Sequence, residues 1–304
     1  AVLTSGKASG FCAGADLGEM GSNAAQSSAS AEDRLRAAFE GSHSMNRVLR
    51  SLETCGKPVA CALEGLALGG GLEIALATHY RVAADNPKIQ FGLPESKVGL
   101  LPGAGGTQRL PRLIGVQNAA MMILQGASKN PAEAKGLGFI NEVVEAGQTL
   151  RAAKKWLKGS PEAVQPWDKK GYRVKDGPYT PGGGMAFVGG NAVLMKQSYG
   201  NYPAQKHIMS CLYEGIQVPM DAALRIESRY FVKTLQTPQA RAMIRSLFLS
   251  MQELSKGANR PEGFAKYEIK KVAVIGAGFM GAGVSYVQAM AGIETVLLDT
   301  TIEG

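Results

Sequence analysis

Glycine set between apolar strands and helices constrains this chain more than any other feature. Of its 304 residues, 39 are glycine, about twice the usual share. No triplet period runs through them, which excludes a collagen-like chain. Glycine and proline together number 53, short of the share that marks a disordered low-complexity chain. The glycines therefore belong at points where the backbone turns tightly or closely approaches another group. They cluster at Gly14, Gly69–Gly71, Gly103–Gly106, Gly182–Gly190 and Gly276–Gly281.

Between these clusters strands and helices alternate, the pattern of an α/β chain. Pro58–Ala62 reads as a short buried strand, and Leu68–Ala77 as a loop that becomes a helix at its glycines. Tyr80–Ala84 and Lys88–Phe91 read as strands, Thr107–Ile114 and Gln117–Gln125 as helices. Apolar residues Leu35, Phe39, Met45, Leu49 and Leu52 recur at helical spacing over Glu32–Glu53, with acids at the start to suit the helix dipole. Asn130-Pro131 is an N-cap followed by proline at the first helical position. Ser/Ala-rich 21–30 reads as a mobile loop. Ten glycines and prolines between Gly177 and Pro203 predict a long irregular excursion, after which Ala223, Ile226, Tyr230 and Phe231 mark helix again.

A hydrophobic content of 45% supports a sizeable core, and the length suggests about two domains. The net charge of +8 suits acidic partners, phosphorylated small molecules among them. No run of five Lys/Arg supports a nucleic-acid arm. Cys12, Cys55, Cys61 and Cys211 form no CxxC pair, and His43, His79 and His207 no HxxxH pair. Neither a metal site nor a disulfide framework is expected, which reads as an intracellular chain. No apolar stretch is long enough to span a membrane, and no signal peptide is visible. The opening AVLTS reads as the middle of a strand without an initiator Met, as if the N-terminus were truncated.

Two constellations carry chemistry. Strand Val272–Ile275 runs into Gly276-Ala-Gly278-Phe-Met-Gly281, which opens a helix; a second strand, Thr295–Leu298, ends in Asp299. This is the dinucleotide fingerprint in its strand–turn–helix setting. Gly276 makes the turn, Gly278 admits a pyrophosphate, Gly281 lets helix and strand pack, and Asp299 receives ribose hydroxyls, favouring NAD over NADP. The second constellation is acidic. Glu73 lies just inside the helix that opens at Gly69–Gly71, and Glu95 lies in the Pro-marked loop FGLPES. Alone, Glu73 reads as a helix-dipole partner and Glu95 as a solvated loop acid. The glycine-rich loop beside each, with Phe11-Cys-Ala-Gly-Ala-Asp16, shifts the reading toward a site.

Taken in order, FCAGADL, KPVACALEGLALGGGLEIAL and FGLPESKVGLLPGAGGTQRLPRLIG resemble the enoyl-CoA hydratase/isomerase (crotonase) superfamily, and the final segment resembles the start of a 3-hydroxyacyl-CoA dehydrogenase NAD domain. In tandem they resemble the multifunctional enzymes of fatty-acid β-oxidation, of bacterial α-subunit or peroxisomal type. The resemblance implies an α/β crotonase-like ββα superhelix with C-terminal helices, followed by the start of a Rossmann-type domain. The hydratase part would span 1–256 with an insertion at about 160–202, the linker 257–268 and the NAD-binding part 269–304. It implies Glu73 and Glu95 as the catalytic pair, and backbone N–H groups of Ala15 and Gly70 as the oxyanion hole. Asp16 would order the first loop near the CoA adenine, or merely cap a turn. Both glutamates together favour hydration of a trans-2-enoyl-CoA. Isomerase or other crotonase chemistry is the alternative within enzymes, and a non-catalytic CoA/NAD-binding module the alternative outside them. The cofactors implied are NAD and substrate-borne coenzyme A, without a metal. The partners implied are an acyl-CoA thioester, a thiolase and further copies of the chain. The location implied is the bacterial cytoplasm, or else a peroxisome or mitochondrion.

Overall fold

The computed structural model describes residues 1–7, 10–18, 30–261, 263–264 and 267–300. Its organising element is β2 (Ala60–Leu63), whose four residues are all buried. Short, apolar and covered on both faces, it has the character of a central parallel strand. Parallel neighbours flank it: β1 (Val2–Leu3) on one side and β4 (Tyr80–Ala84) on the other, with β7 (Glu142–Val144) beyond β4. A second, smaller sheet joins β3 (Ala67–Leu68) to β5 (Phe91–Gly92) in parallel and β5 to β6 (Ser128–Lys129) antiparallel. Strands β2 and β3 are separated by three residues, so the chain steps from one sheet to the other just before its first glycine run.

Helices cover these sheets. The first is α1 (Ala31–Thr54), capped by Ser30, whose hydroxyl accepts the Asp33 amide at 3.1 Å. Next come α2 (Gly70–Leu76), α3 (Gly106–Ile114) and α4 (Val116–Gln125). The cap expected at Asn130 is a full capping box with Glu133 at the start of α5 (Pro131–Leu137). On α6 (Thr149–Lys158), Trp156 stacks on Tyr80 of the larger sheet at 4.6 Å.

Two expectations are corrected. The strand expected at Lys88–Phe91 contracts to Phe91–Gly92, because Asn86 starts a turn in which its side chain accepts the Lys88 amide at 3.0 Å. The excursion at 160–202 is helical in its second half. Thr180 caps α7 (Pro181–Gly184), which continues through a wider π-turn, Met185–Gly189, into α8 (Gly190–Ser198). Phe187 overrides the local glycines: it is buried in the main core with its ring edge against Tyr213, centroids 5.1 Å apart. The helical tail comprises α9 (Pro203–Gly215), α10 (Met220–Leu235), α11 (Pro238–Met243) and, after a second π-turn, α12 (Met251–Ser255).

The chain divides into two compact units, residues 1–253 and 254–304. In the second, β8 (Lys271–Ile275) pairs in parallel with β9 (Glu294–Leu298), connected by α13 (Phe279–Met290). The Ser/Ala-rich positions 21–29, and positions 262, 265 and 266 of the expected linker, lie outside the described residues.

Candidate active site

The start of α2 is the focus of the larger unit. The loop at 10–16 is fastened to β3: Phe11 and Cys12 amides donate to Leu66 O at 3.0 and 3.2 Å, and the Leu68 amide donates to Cys12 O at 3.0 Å. This close apposition explains Gly71, where a Cβ would stand 2.2 Å from Cys12 O. Gly69 turns the chain with φ +54°, a conformation glycine takes without strain. Gly70 differs from both. Apart from its chain neighbours, a Cβ there would meet nothing nearer than 3.9 Å, and one of the atoms at that distance is Ala15 N. The Ala15 amide nitrogen therefore lies beside Gly70 with room for a Cβ at ordinary contact. Neither the Ala15 nor the Gly70 amide donates to a protein acceptor among the described residues. Neighbouring amides without a protein acceptor are the kind of donors that can receive an oxygen on which negative charge develops.

Glu73, one turn further along α2, is 2% exposed. Its Oε1 accepts two amides from the turn before α3, Ala104 at 2.8 Å and Gly106 at 2.7 Å. The helix-dipole reading thus gives way to a more specific one: a carboxylate clamped by another helix start. Glu95 lies not in an open loop but in a 3₁₀ turn, Pro94–Val98. It is held over Gly69, where a Cβ would come 3.0 Å from its Oε1. Its other oxygen, Oε2, is buried without a hydrogen-bond partner. A buried unpaired carboxylate oxygen is costly, and it marks a place where a substrate group can bind. Burial raises the Glu73 carboxyl well above its ordinary value, with the charges of Glu227 and Glu95 adding to the effect. Burial likewise pushes Glu95 up to about 8, against its own backbone amide and with Glu227 adding. Two neighbouring carboxyls, both raised above the ordinary carboxylate range by burial, are suited to acid–base work.

Glu227, a third carboxylate, escapes a sequence reading. It lies on α10 and is fully buried. Oε1 accepts Gly105 N at 2.6 Å and Asn46 Nδ2 at 3.3 Å; Oε2 accepts Thr107 N at 3.0 Å and Thr107 Oγ1 at 2.6 Å. The buried positions of α10 include Met220, Ala223, Leu224, Glu227 and Ser228, whereas Ile226, Tyr230 and Phe231 are only partly buried. An acid in phase with a core stripe was the available signal. Behind the same turn, Arg109 donates to Ala104 O at 2.7 Å and to Glu53 Oε1 at 2.6 Å, both of these side chains being fully buried.

Asp16 remains apart from the carboxylates. It is exposed, and its Oδ1 accepts the Gly18 amide at 2.8 Å, which matches the turn-capping alternative. The histidines are built into the scaffold. His79 Nδ1 accepts the Val59 amide, His43 pairs with Ser228, and His207 pairs with Thr234, with burial lowering its pKa to about 4. Cys61 and Cys211 are core residues, while Cys55 is exposed.

In the second unit Gly276 has φ +100°, and a Cβ on Gly281 would stand 1.7 Å from Gly276 O. A Cβ on Gly278 would meet nothing within 4 Å. One glycine turns, one packs and one leaves space, which fits a bound pyrophosphate. Asp299 Oδ2 accepts the Ala277 amide at 2.6 Å and Oδ1 accepts the Thr300 amide at 2.6 Å. Those donors hold its carboxyl below the ordinary value, the Ala277 amide foremost. The acid expected to face the ribose thus also fastens the glycine loop to the end of β9.

The profile for "Enoyl-CoA hydratase/isomerase" matches residues 1–170, more than half of the chain, and the chain belongs to the enoyl-CoA hydratase/isomerase family. The profile for "3-hydroxyacyl-CoA dehydrogenase, NAD binding domain" matches residues 271–303. The crotonase-type α/β fold and the start of a Rossmann-type NAD-binding domain, both expected from the sequence, accordingly hold. The chain is 35% identical over 288 residues to the fatty acid oxidation complex subunit alpha of Shewanella frigidimarina, covering 94% of this chain and 39% of that protein. It is 36% identical over 305 residues to the protein of that name from Idiomarina loihiensis, covering 100% of this chain and 41% of that protein. The chain thus spans about two-fifths of the length of the curated relatives it matches. Among solved structures, the enoyl-CoA hydratase from Bacillus anthracis aligns at a TM-score of 0.45 and 27% identity, over 84% of this chain and 78% of that one. No helix among the described residues is long and apolar enough to cross a membrane.

Proposed function

We propose that residues 1–256 catalyse the addition of water to a trans-2-enoyl-CoA, giving 3-hydroxyacyl-CoA. We further propose that 257–268 is a linker and that 269–304 opens an NAD-dependent dehydrogenase that oxidises this product in the intact protein. The observation that carries the reading is the pairing of Glu73 and Glu95 around the start of α2, beside the free amides of Ala15 and Gly70. The thioester carbonyl oxygen sits between those amides, which stabilise it as it becomes enolate; a donor of this kind contributes about 2.7–4 kcal/mol. Glu73, held through Oε1, orients the water with its other oxygen and takes a proton as the water oxygen bonds to C3. Glu95, carrying a proton at neutral pH, delivers it to C2. The atoms of one water are then divided between the two carbons, and a proton passing from Glu73 to Glu95 restores the site.

The loop Gly276–Gly281 would hold the pyrophosphate of NAD at the start of α13, with Asp299 toward the ribose. When bound, the nicotinamide supplies a hydride acceptor for the 3-hydroxyl carbon. Asp16 would order the first loop near the adenine end of coenzyme A. The relatives' name as a complex subunit supports an assembly; the resemblance implies a thiolase as the partner that consumes the oxidised product and the bacterial cytoplasm as the location. The test is direct: full-length protein is mixed with a short trans-2-enoyl-CoA, and the conjugated thioester absorbance is followed. Loss of that absorbance, then NADH formation once NAD is added, is expected. Unchanged absorbance would refute the hydratase reading.

A further inference from the structure

Four consecutive amides at the start of α3 are divided alternately between two carboxylates. Ala104 and Gly106 donate to Glu73 Oε1, whereas Gly105 and Thr107 donate to Glu227. These amides belong to a helix start, where no intrahelical acceptor is available. The turn is thus gripped from α2 on one side and from α10 on the other.

We propose that Glu227 is a positioning residue for hydration: it holds the 104–107 turn against Glu73 and thereby fixes where the Glu73 carboxylate meets the substrate. The inference rests on the hydratase reading above. The hydrogen-bond pattern defines the form of Glu227. Both oxygens receive donors, four in all when Asn46 and the Thr107 hydroxyl are counted, and three of the four are N–H groups that can only donate. That donor set favours the carboxylate form, against burial, which raises the Glu227 carboxyl above its ordinary value. Burying that charge in the stripe of Met220, Ala223 and Leu224 is costly for packing alone. An apolar residue at 227 would leave the Gly105 and Thr107 amides unpaired while Glu73 kept its own two. Glu73 would then be tied to a turn that had lost its amide contacts to α10. The carbonyl side of the turn is secured separately, by Asn46 on Gly103 O and Arg109 on Ala104 O.

Glu227 also faces the reacting carboxyls electrostatically. Its charge raises both Glu73 and Glu95. The charged and titratable groups around it include Glu73 of α2, Glu95 of the 3₁₀ turn, Arg109 of α3 and Cys211 of α9. Lys97, on the same turn as Glu95, lies along Gly126 instead. This gives the proposal a readout that a purely structural residue would not move.

The test compares wild type with Glu227→Gln in the full-length protein, measuring trans-2-enoyl-CoA hydration as a function of pH. An amide retains the shape but cannot accept all four donors. The expected result is a fall in kcat of about 10- to 100-fold with KM nearly unchanged, because charge-assisted contacts that hold Glu73 in place for the transition state are lost. The alkaline limb, where Glu95 loses its proton, is expected to move to lower pH. Wild-type kcat with an unmoved limb would overturn the proposal, even if the variant melted at a lower temperature. Should Glu227→Gln fail to fold, Thr107→Val removes one donor to the same carboxylate, and a smaller kcat loss at constant KM is expected; wild-type kcat in that variant would also overturn it. A wild-type protein that hydrates nothing would instead refute the hydratase reading and remove the basis of this one.

Discussion

Two helix starts of this chain treat their amides in opposite ways. At α3, the four amides from Ala104 to Thr107 are consumed by internal carboxylates. At α13, Asp299 holds the Ala277 amide, and the next glycine, Gly278, opens onto empty space. The glycines divide in the same manner. Gly71 and Gly281 stand where a Cβ would strike a backbone oxygen, at 2.2 and 1.7 Å; Gly70 and Gly278 have no such neighbour. A motif glycine serves either chain packing or a ligand, and only its surroundings distinguish the two. The helix start at α3 is an anion site already filled by Glu73 and Glu227. Those at α2 and α13 keep donors or space for a ligand.

The largest expected effect would break the acidic half of this comparison. Glu95→Gln should lower enoyl-CoA hydration about 10²- to 10⁴-fold, the scale of lost general acid catalysis, with NAD affinity unchanged by titration. The glycine contrast predicts the next. Gly71→Ala should destabilise the fold by about 1–3 kcal/mol in chemical denaturation, as overpacking does, because Cys12 must move. Gly70→Ala should melt near wild type yet hydrate slowly, since its methyl group enters the thioester space. Equal stability losses in the two variants would erase the distinction. A third effect is pH-dependent. The Glu95 carboxyl is raised from its ordinary 4.5 to about 8, so the folded protein keeps a proton that the unfolded chain releases. The associated stability is complete below about pH 4.5 and is lost as pH rises through about 8. Glu95→Gln cannot ionise, so its melting temperature should gain on wild type across that window and hold the gain beyond it. A narrowing gap would contradict the raised value. The smallest effect belongs to the exposed site: Asp299→Ala should weaken NAD binding about tenfold, one charge-assisted contact, and leave hydration untouched.

Much of this was legible in the residues themselves. Glu73 and Glu95 were identifiable because each adjoins a glycine run, and the GxGxxG loop because strand, helix and terminal acid were all in register. Glu227 was not, because its partners Gly105 and Thr107 lie about 120 residues away and a helical acid beside Arg225 and Arg229 resembles a solvated one. Only the phase of the α10 stripe separates the two readings. The helix at 181–198 was illegible for a different reason. Its glycines argue against helix locally, and Phe187 reverses them through a contact with Tyr213 that no local pattern contains. Asp16 was recognisable as an ordered loop residue, but its side chain serves its own turn.

The central claim is that Glu73 and Glu95 act as a unit on one water. It is tested most directly by hydration kinetics of full-length Glu73→Gln, Glu95→Gln and the double variant on the same trans-2-enoyl-CoA. Groups acting as a unit are not additive, so the double variant should be about as slow as the slower single one. Losses that multiply, or a single variant that hydrates at the wild-type rate, would contradict the account.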